Sequence, residues 1–315
     1  MRVAGTTSAK KSHVITDPLV DVGRWLAASG YRFIVPTPET HRRVNARPGA
    51  AIARSVRDAL GWSRPFPRAL LPAAIVDALF AADALSERDG LLASKVRFAT
   101  LGDALYVHSS YPTDSTHAVF FGPDTYRFCS ALARLAPRAA RIVDVGCGSG
   151  AGALTLADRG ARLVLADRNP IALRYARVNA ALAGVEDRVE LVGGDLLEEV
   201  HGTVDLVIAN PPYIADEHER LYCHGGGELG TGVAVRIVEQ ALARLVAGGK
   251  LLLYTGAPIV DGEDRFRAAV APLLDNRARW TYDELDPDVF GEELDRDAYA
   301  SVERIAVVVL AATRL

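Results

Sequence analysis

The chain has 315 residues, half of them apolar and 24% charged, with a formal net charge of −3. That is long enough for two domains with adequate cores, and the balance is that of a globular protein and not of a disordered or fibrous one. No apolar run reaches the roughly 18 residues of a membrane span, the N-terminus lacks the apolar stretch of a secretory signal, and three scattered cysteines make neither a disulfide framework nor a zinc site.

The cytoplasm is therefore the expected compartment, without a membrane partner. Charge is unevenly placed. Residues 1–130 carry 16 Lys+Arg against 11 Asp+Glu, and the remainder carries 20 against 28. A surplus of that size in the first part suits either an acidic or nucleic-acid partner or an ordinary solvated surface.

Residues 1–15 read as a loosely held tail. Apolar residues at helical spacing over 18–29 (PLVDVGRWLAAS) predict a helix that stops at Gly30. Two further amphipathic helices are expected over 50–60 and 70–85, parted by the proline-bearing break SRPFPR. Alternation over 96–99 and 104–108 around LGD predicts a β-hairpin. Residues 1–110 thus read as a mainly helical, winged-helix-like domain that either recognises substrate or caps the rest. Residues 111–138 read as a linker or lid, with Phe120 and Phe121 as core side chains and a helix over 126–135.

From residue 139 to 315 the pattern becomes strand, turn, helix, repeated, which argues for an α/β domain with a parallel sheet. The apolar run 142–145 leads at once into Gly146, Gly148 and Gly150. Glycines there permit positive φ and let a ligand approach main-chain N–H groups, with a helix from about Ala151 pointing at it. A second strand, 163–166, ends in Asp167, 17 residues beyond Gly150, where a carboxylate can accept hydrogen bonds from a ribose diol. Gly146-x-Gly148-x-x-Ala151 also satisfies the loose dinucleotide pattern, so the glycines alone leave the cofactor open. The rest of the pattern decides: Asp144, inside the first strand, could take the ammonium of an amino-acid-bearing cofactor, and a nicotinamide nucleotide offers no such cation. Asp195, after a third strand over 189–192, suits an adenine amine. Asn210-Pro211-Pro212-Tyr213 closes a fourth strand over 206–209. All four polar residues are expected at the carboxyl edge of the sheet.

Together these motifs resemble the class I S-adenosylmethionine-dependent methyltransferases, and Asn-Pro-Pro-Tyr narrows the resemblance to the N-methylating HemK/PrmC-like group. The resemblance implies a Rossmann-like, seven-stranded methyltransferase domain with S-adenosyl-L-methionine as cofactor. It implies a cofactor site of Asp144, Gly146, Cys147, Gly148, Gly150, Asp167, Arg168, Asn169, Asp195, Leu196 and Asn210, and a catalytic element of Asn210, Pro211, Pro212 and Tyr213. In that element the Asn210 side-chain oxygen and the Pro211 carbonyl would each accept an N–H of a planar acceptor nitrogen, two prolines would fix the carbonyl, and Tyr213 would offer a π face.

The acceptor implied first is an exposed glutamine side chain of a protein. A base amino group in structured RNA or DNA is the alternative, and a small-molecule amine the third. Pro123-Asp124-Thr125 resembles the extended element that precedes the glycine motif in this group. The glycine-rich run 224–230 stands where the group carries GGxDGL, but Glu228 and Thr231 break that spelling. Strand five (250–254) ends in Tyr254-Thr255-Gly256, where the group often carries Glu before the glycine. Both departures bear on the acceptor and not on the chemistry. The chain closes with an antiparallel pair, 279–282 with 305–311, and an acidic segment between them (283–297) that reads as a solvated loop. Oligomeric state is not legible.

Overall fold

A computed structural model describes residues 17–159, 162–214, 225–227 and 229–315. The tail expected over residues 1–15 lies outside them. Helix α1 (Pro18–Ala28) is opened by Asp17, whose carboxylate accepts the Leu19 N–H. Next comes α2 (Pro38–Asn45), which apolar periodicity does not reveal because only His41 is buried. Its start is nonetheless written in Thr37-Pro38, a capping side chain before a first-turn proline. The helix expected over 50–60 shortens to α3 (Val56–Leu60), capped by Ser55. That over 70–85 shortens to α4 (Ala73–Ala81), because Asp83 adopts positive φ and the chain turns into a hairpin. This hairpin, β1 (Leu85–Arg88) with β2 (Leu91–Ser94), turns at Asp89-Gly90, both at positive φ. The Asp-Gly pair is a strong short-range hairpin signal that the apolar run before it conceals. A second hairpin, β3 (Val96–Leu101) with β4 (Ala104–Ser109), stands where alternation placed it.

Helix α5 (Pro123–Leu135) starts three residues before the expected 126 and buries Phe128, Cys129 and Leu132 in the same core as Ile142 and Leu206. Phe121 is fully buried, whereas Phe120 is half-buried on a cavity wall. Then follow β5 (Arg141–Val145), α6 (Ala151–Thr155), β6 (Arg162–Asp167), α7 (Pro170–Leu182), β7 (Val189–Gly193), β8 (Val204–Ala209), α8 (Gly232–Arg244), β9 (Leu245–Val260), β10 (Glu263–Asp264), α9 (Arg265–Leu274), β11 (Ala278–Asp286) and β12 (Arg304–Arg314).

The main sheet runs β11-β12-β9-β8-β5-β6-β7, with β10 on β9. Strands β5 to β9 pair in parallel, and β12 inserts antiparallel between β9 and β11. This is the seven-stranded, Rossmann-like α/β arrangement expected. Strand β9 outruns the expected 250–254 because β12 gives it partners from Lys250 to Ile259. Alternation assigns the two faces. Ile142, Leu165, Leu206 and Ile208 face α5 and α6, and Val143, Val145, Val207 and Ala209 face α8 and α9.

Helix α7 is buried on two sides. Ala176 and Ala180 lie on the sheet, while Ala172, Tyr175 and Val178 pack with Leu19, Leu26 and Val107 of the N-terminal part. Between them Asn179 is 1% exposed. Its amide accepts from the Val107 N–H at 2.7 Å and donates to the Val107 carbonyl at 3.1 Å and the Ser149 carbonyl at 2.8 Å. One side chain thus pairs the edge of β4 and the end of the glycine turn, backbone groups that would otherwise be buried unpaired. Arg174 adds an ion pair to Asp17 at 2.6 Å. Asn179→Ala leaves a buried N–H and two carbonyls without their partner. We expect about 2–4 kcal/mol lower stability in denaturant titration, at roughly 1–3 kcal/mol per orphaned group and partial relaxation.

Candidate active site

The chain crosses from β5 to β6 on one side and from β8 to β9 on the other, so crossovers part between the adjacent strands β5 and β8. Such a parting opens a crevice at the carboxyl ends of the strands. Here it holds a cavity of about 700 Å³, within the usual range for a small-molecule site. Asp144, Asp167, Asp195 and Asn210 all line it, as do Gly146, Cys147, Gly148, Arg168, Asn169, Leu196, Pro211, Pro212 and Tyr213. Gly150 does not. It sits at φ 77° at the foot of α6, against Ala176 and Leu165.

The glycine turn is open where a ligand would lie. A Cβ built on Gly146 meets nothing within 4 Å, and one on Gly152 would strike Phe128 at 2.6 Å and the Asp144 carboxylate at 2.8 Å. Gly152 therefore makes room for that carboxylate, which accepts the Ala153 N–H at 2.9 Å and is 2% exposed. Helix α6 is only five residues long, so its dipole contributes little. The turn itself is held by Asp167, which accepts the Gly148 N–H at 2.9 Å and the Asn169 N–H at 2.8 Å. Asn169 caps α7 through Ile171 and donates to the His117 carbonyl, so its amide is engaged in the fold. Asp195 is ion-paired with Arg236 of α8, a cavity-lining cation outside every sequence motif.

Burial pushes the Asp144 carboxyl up to about 7, the charge of Asp167 adding to the shift and the Ala153 N–H opposing it. Burial raises Asp167 as well. At Asp167 the N–H groups of Asn169 and Gly148 and the charge of Arg168 oppose the rise.

The Asn-Pro-Pro-Tyr element leaves β8 along the opposite wall. Tyr213 is 8% exposed. Its ring lies on Gly256, where a Cβ would meet it at 2.4 Å, and 5.8 Å from the Phe290 ring. The glycine-rich run packs on the backbone of the same element: a Cβ on Gly225 would fall 2.8 Å from the Pro212 carbonyl, and one on Gly230 2.5 Å from that of Tyr213. His224 and Glu228 lie outside the described residues.

The acidic segment expected to be a solvated loop is in part a wall of the cavity. Asp286, Val289, Phe290 and Glu293 line it, and Val289 donates to the Ile305 carbonyl at 2.9 Å. The N-terminal part supplies another wall through Thr37, Glu39 and Tyr111. No local motif marks these residues, because distant strands and loops bring them in.

Residues 125–259 match the methyltransferase small domain family. That match takes in the glycine turn, Asp144, Asp167, Asp195 and the Asn-Pro-Pro-Tyr element. Over 132 residues it is 41% identical to the release factor glutamine methyltransferase of Mycolicibacterium smegmatis, covering 38% of this chain and 47% of that protein. Over 158 residues it is 39% identical to the protein of the same name from Deinococcus radiodurans, covering 44% and 56%. A 4-amino-L-phenylalanine/4-methylamino-L-phenylalanine methyltransferase of Streptomyces pristinaespiralis is 35% identical over 168 residues, covering 48% of this chain and 53% of that protein. The chain spans about half the length of the curated relatives it matches. No described helix is long and apolar enough to cross a membrane.

The Asp144 shift sets a pH dependence. In the free protein the unfolded chain gives up this proton near the ordinary carboxyl value of about 4 and the folded chain near about 7, so the shift costs stability as pH rises through that window. A cationic ligand seated against Asp144 favours the ionised form. Affinity for S-adenosylmethionine measured by calorimetry is therefore expected to rise from pH 6 to pH 8, and Asp144→Asn to flatten the rise.

Proposed function

We propose that the protein transfers a methyl group from S-adenosylmethionine to a planar nitrogen, namely the side-chain amide of a glutamine in a protein substrate. The observation that carries this reading is the placement of Asn210-Pro211-Pro212 on the cavity wall across the strand parting from Asp144 and the glycine turn. When bound, S-adenosylmethionine supplies an already electrophilic sulfonium methyl, so the protein has only to prepare the acceptor. An amide nitrogen shares its lone pair with its carbonyl and is a poor nucleophile. The Asn210 side-chain oxygen accepts one N–H and the Pro211 carbonyl the other, which turns the nitrogen toward the methyl and favours a pyramidal geometry. Asp144 takes the ammonium of the cofactor and Asp167 its ribose hydroxyls.

At ~1 kcal/mol for each hydrogen bond, the pair at nitrogen yields about a factor of 30. The larger part of the acceleration comes from in-line positioning in the cavity, where effective molarities of about 10⁵ M are attainable. No strong base is needed, because the methylated nitrogen is acidic and loses its proton readily.

The walls support a protein acceptor over a nucleic acid. The described lining residues include ten carboxylates, from Glu39 to Glu293, and three arginines, Arg127, Arg168 and Arg236. A phosphate backbone brought to such a rim meets like charge. Arg42 and Arg43 both pair with Glu39, which offsets one of the ten and leaves nine. The same acidity also suits a free cationic amine, and the Streptomyces pristinaespiralis relative is named for an amino-acid acceptor.

The test is transfer from methyl-labelled S-adenosylmethionine into cell extract, with the product divided by protease, nuclease and size filtration. Label released by protease and recovered as a methylated glutamine is the expected result, and label in the nuclease-sensitive or the filterable fraction replaces the acceptor. In the same assay Asn210→Ala is expected to lower transfer by about 10–100-fold, from one N–H left unpaired at roughly 1–3 kcal/mol, with cofactor affinity within a few-fold.

A further inference from the structure

After β7 the chain runs through an irregular turn, residues 194–200, that brings Asp195 and Leu196 to the cavity wall. Leu196 stands at φ 52°, a left-handed conformation that a leucine keeps only where its surroundings fix it. One helix does the fixing. On α8, Arg236, Gln240 and Arg244 recur at every fourth residue and so share a face. Arg236 donates to Asp195 Oδ2 at 2.5 Å and lies 3.7 Å from Glu198 Oε1. The Gln240 side-chain oxygen accepts the Leu197 N–H at 2.9 Å, and Arg244 donates to the Val200 carbonyl at 2.5 Å. The turn is thus gripped at its start, its middle and its end.

From this geometry we infer that Arg236 is a positioning residue for the nucleoside end of the cofactor. By holding Asp195 Oδ2 it leaves Oδ1 to accept the 6-amino group of adenine, and so makes the site select adenine over a 6-oxopurine. The inference rests on the reading of S-adenosylmethionine as cofactor given above.

The pair does not act through its strength. The Arg236 side chain is 47% exposed and that of Asp195 38%, and an ion pair so open to water adds little to stability. What it supplies is direction. An aspartate without a partner turns about two side-chain torsions and offers either oxygen. A guanidinium bonded to one oxygen leaves the other as the acceptor. Among the described residues no other group bonds this carboxylate. The guanidinium is itself carried on a fixed support, since Ala234, Ile237, Val238 and Ala241 of α8 are fully buried against the sheet. Gln240 of the same helix fixes the backbone two residues beyond Asp195. Adenine presents a donor at C6, whereas hypoxanthine presents an oxygen there. A carboxylate held in place accepts from the first and repels the second, and a polar group placed in this way is the usual source of strong discrimination between near-isosteres.

The probes are S-adenosylhomocysteine and its 6-oxo counterpart, S-inosylhomocysteine, titrated by calorimetry into the full chain. The parent should prefer the amino form by at least about tenfold. Arg236→Met keeps the apolar stem and removes the donors. It is expected to lower that preference by at least about fivefold, with little change in the thermal midpoint because the pair is half-exposed. Asp195→Ala should abolish the preference. Adding Arg236→Met to Asp195→Ala should then change it by less than about twofold, since Arg236 acts only through that carboxylate. A structural role for Arg236 would instead weaken both ligands by the same factor. That result, equal affinity of the parent for the two ligands, or a further loss of preference in the double variant would each overturn the inference. A parent that binds neither ligand would overturn the proposed function instead.

Discussion

Parallel strands leave their crossovers no choice but to pass over one face of the sheet or the other, and between β5 and β8 this chain uses both. The gap so formed is the constraint on which the rest of the molecule depends. It opens the glycine turn to a ligand, keeps the Asp144 carboxylate out of bulk water, and places Asn210 across from it. Without the parting, Asp144 would lie under a helix as an unpaired buried acid. With it, the same burial that raises its proton affinity makes it an avid site for a cation.

The parts outside the main sheet add further walls to the cavity. The N-terminal part is joined to it through α7, which presents one face to each core, and Asn179 supplies hydrogen bonds to the end of β4 and of the glycine turn at once. The rim residues Thr37, Glu39 and Tyr111 are thereby held at fixed places over the crevice. From the other end of the chain, the segment after β11 returns beneath β12 and sets Phe290 against Tyr213. Enclosure of this kind strengthens every electrostatic contact inside, since water is the competitor being removed.

Glycine has a different task at each of its sites here. At Gly146 the open side of the turn is left for a ligand, and at Gly152 space is left for the Asp144 carboxylate. Gly256 admits the Tyr213 ring, and Gly225 and Gly230 admit the backbone of Asn-Pro-Pro-Tyr. The glycine-rich run is thus a packing surface for that element, which is why the backbone approach matters more there than the spelling of the residues between.

Sequence alone determined the elements whose information is local. Runs of apolar residues closed by glycine or by Asn-Pro-Pro gave the strands and turns of the main sheet, because a strand buried on both faces needs no distant context to be recognised. The placing of Asp144, Asp167 and Asn210 in or just after those strands was legible for the same reason. Short polar helices such as α2, the Asp89-Gly90 hairpin and the true length of β9 were not, since they depend on what they pack or pair with. The walls of the cavity were decided wholly by tertiary structure. Arg236 and Phe290 are an ordinary cation and a loop aromatic until the fold sets one against Asp195 and the other against Tyr213 on the cavity wall. Burial, which raises the Asp144 carboxyl, is a property of the assembled core, and no stretch of chain carries it by itself.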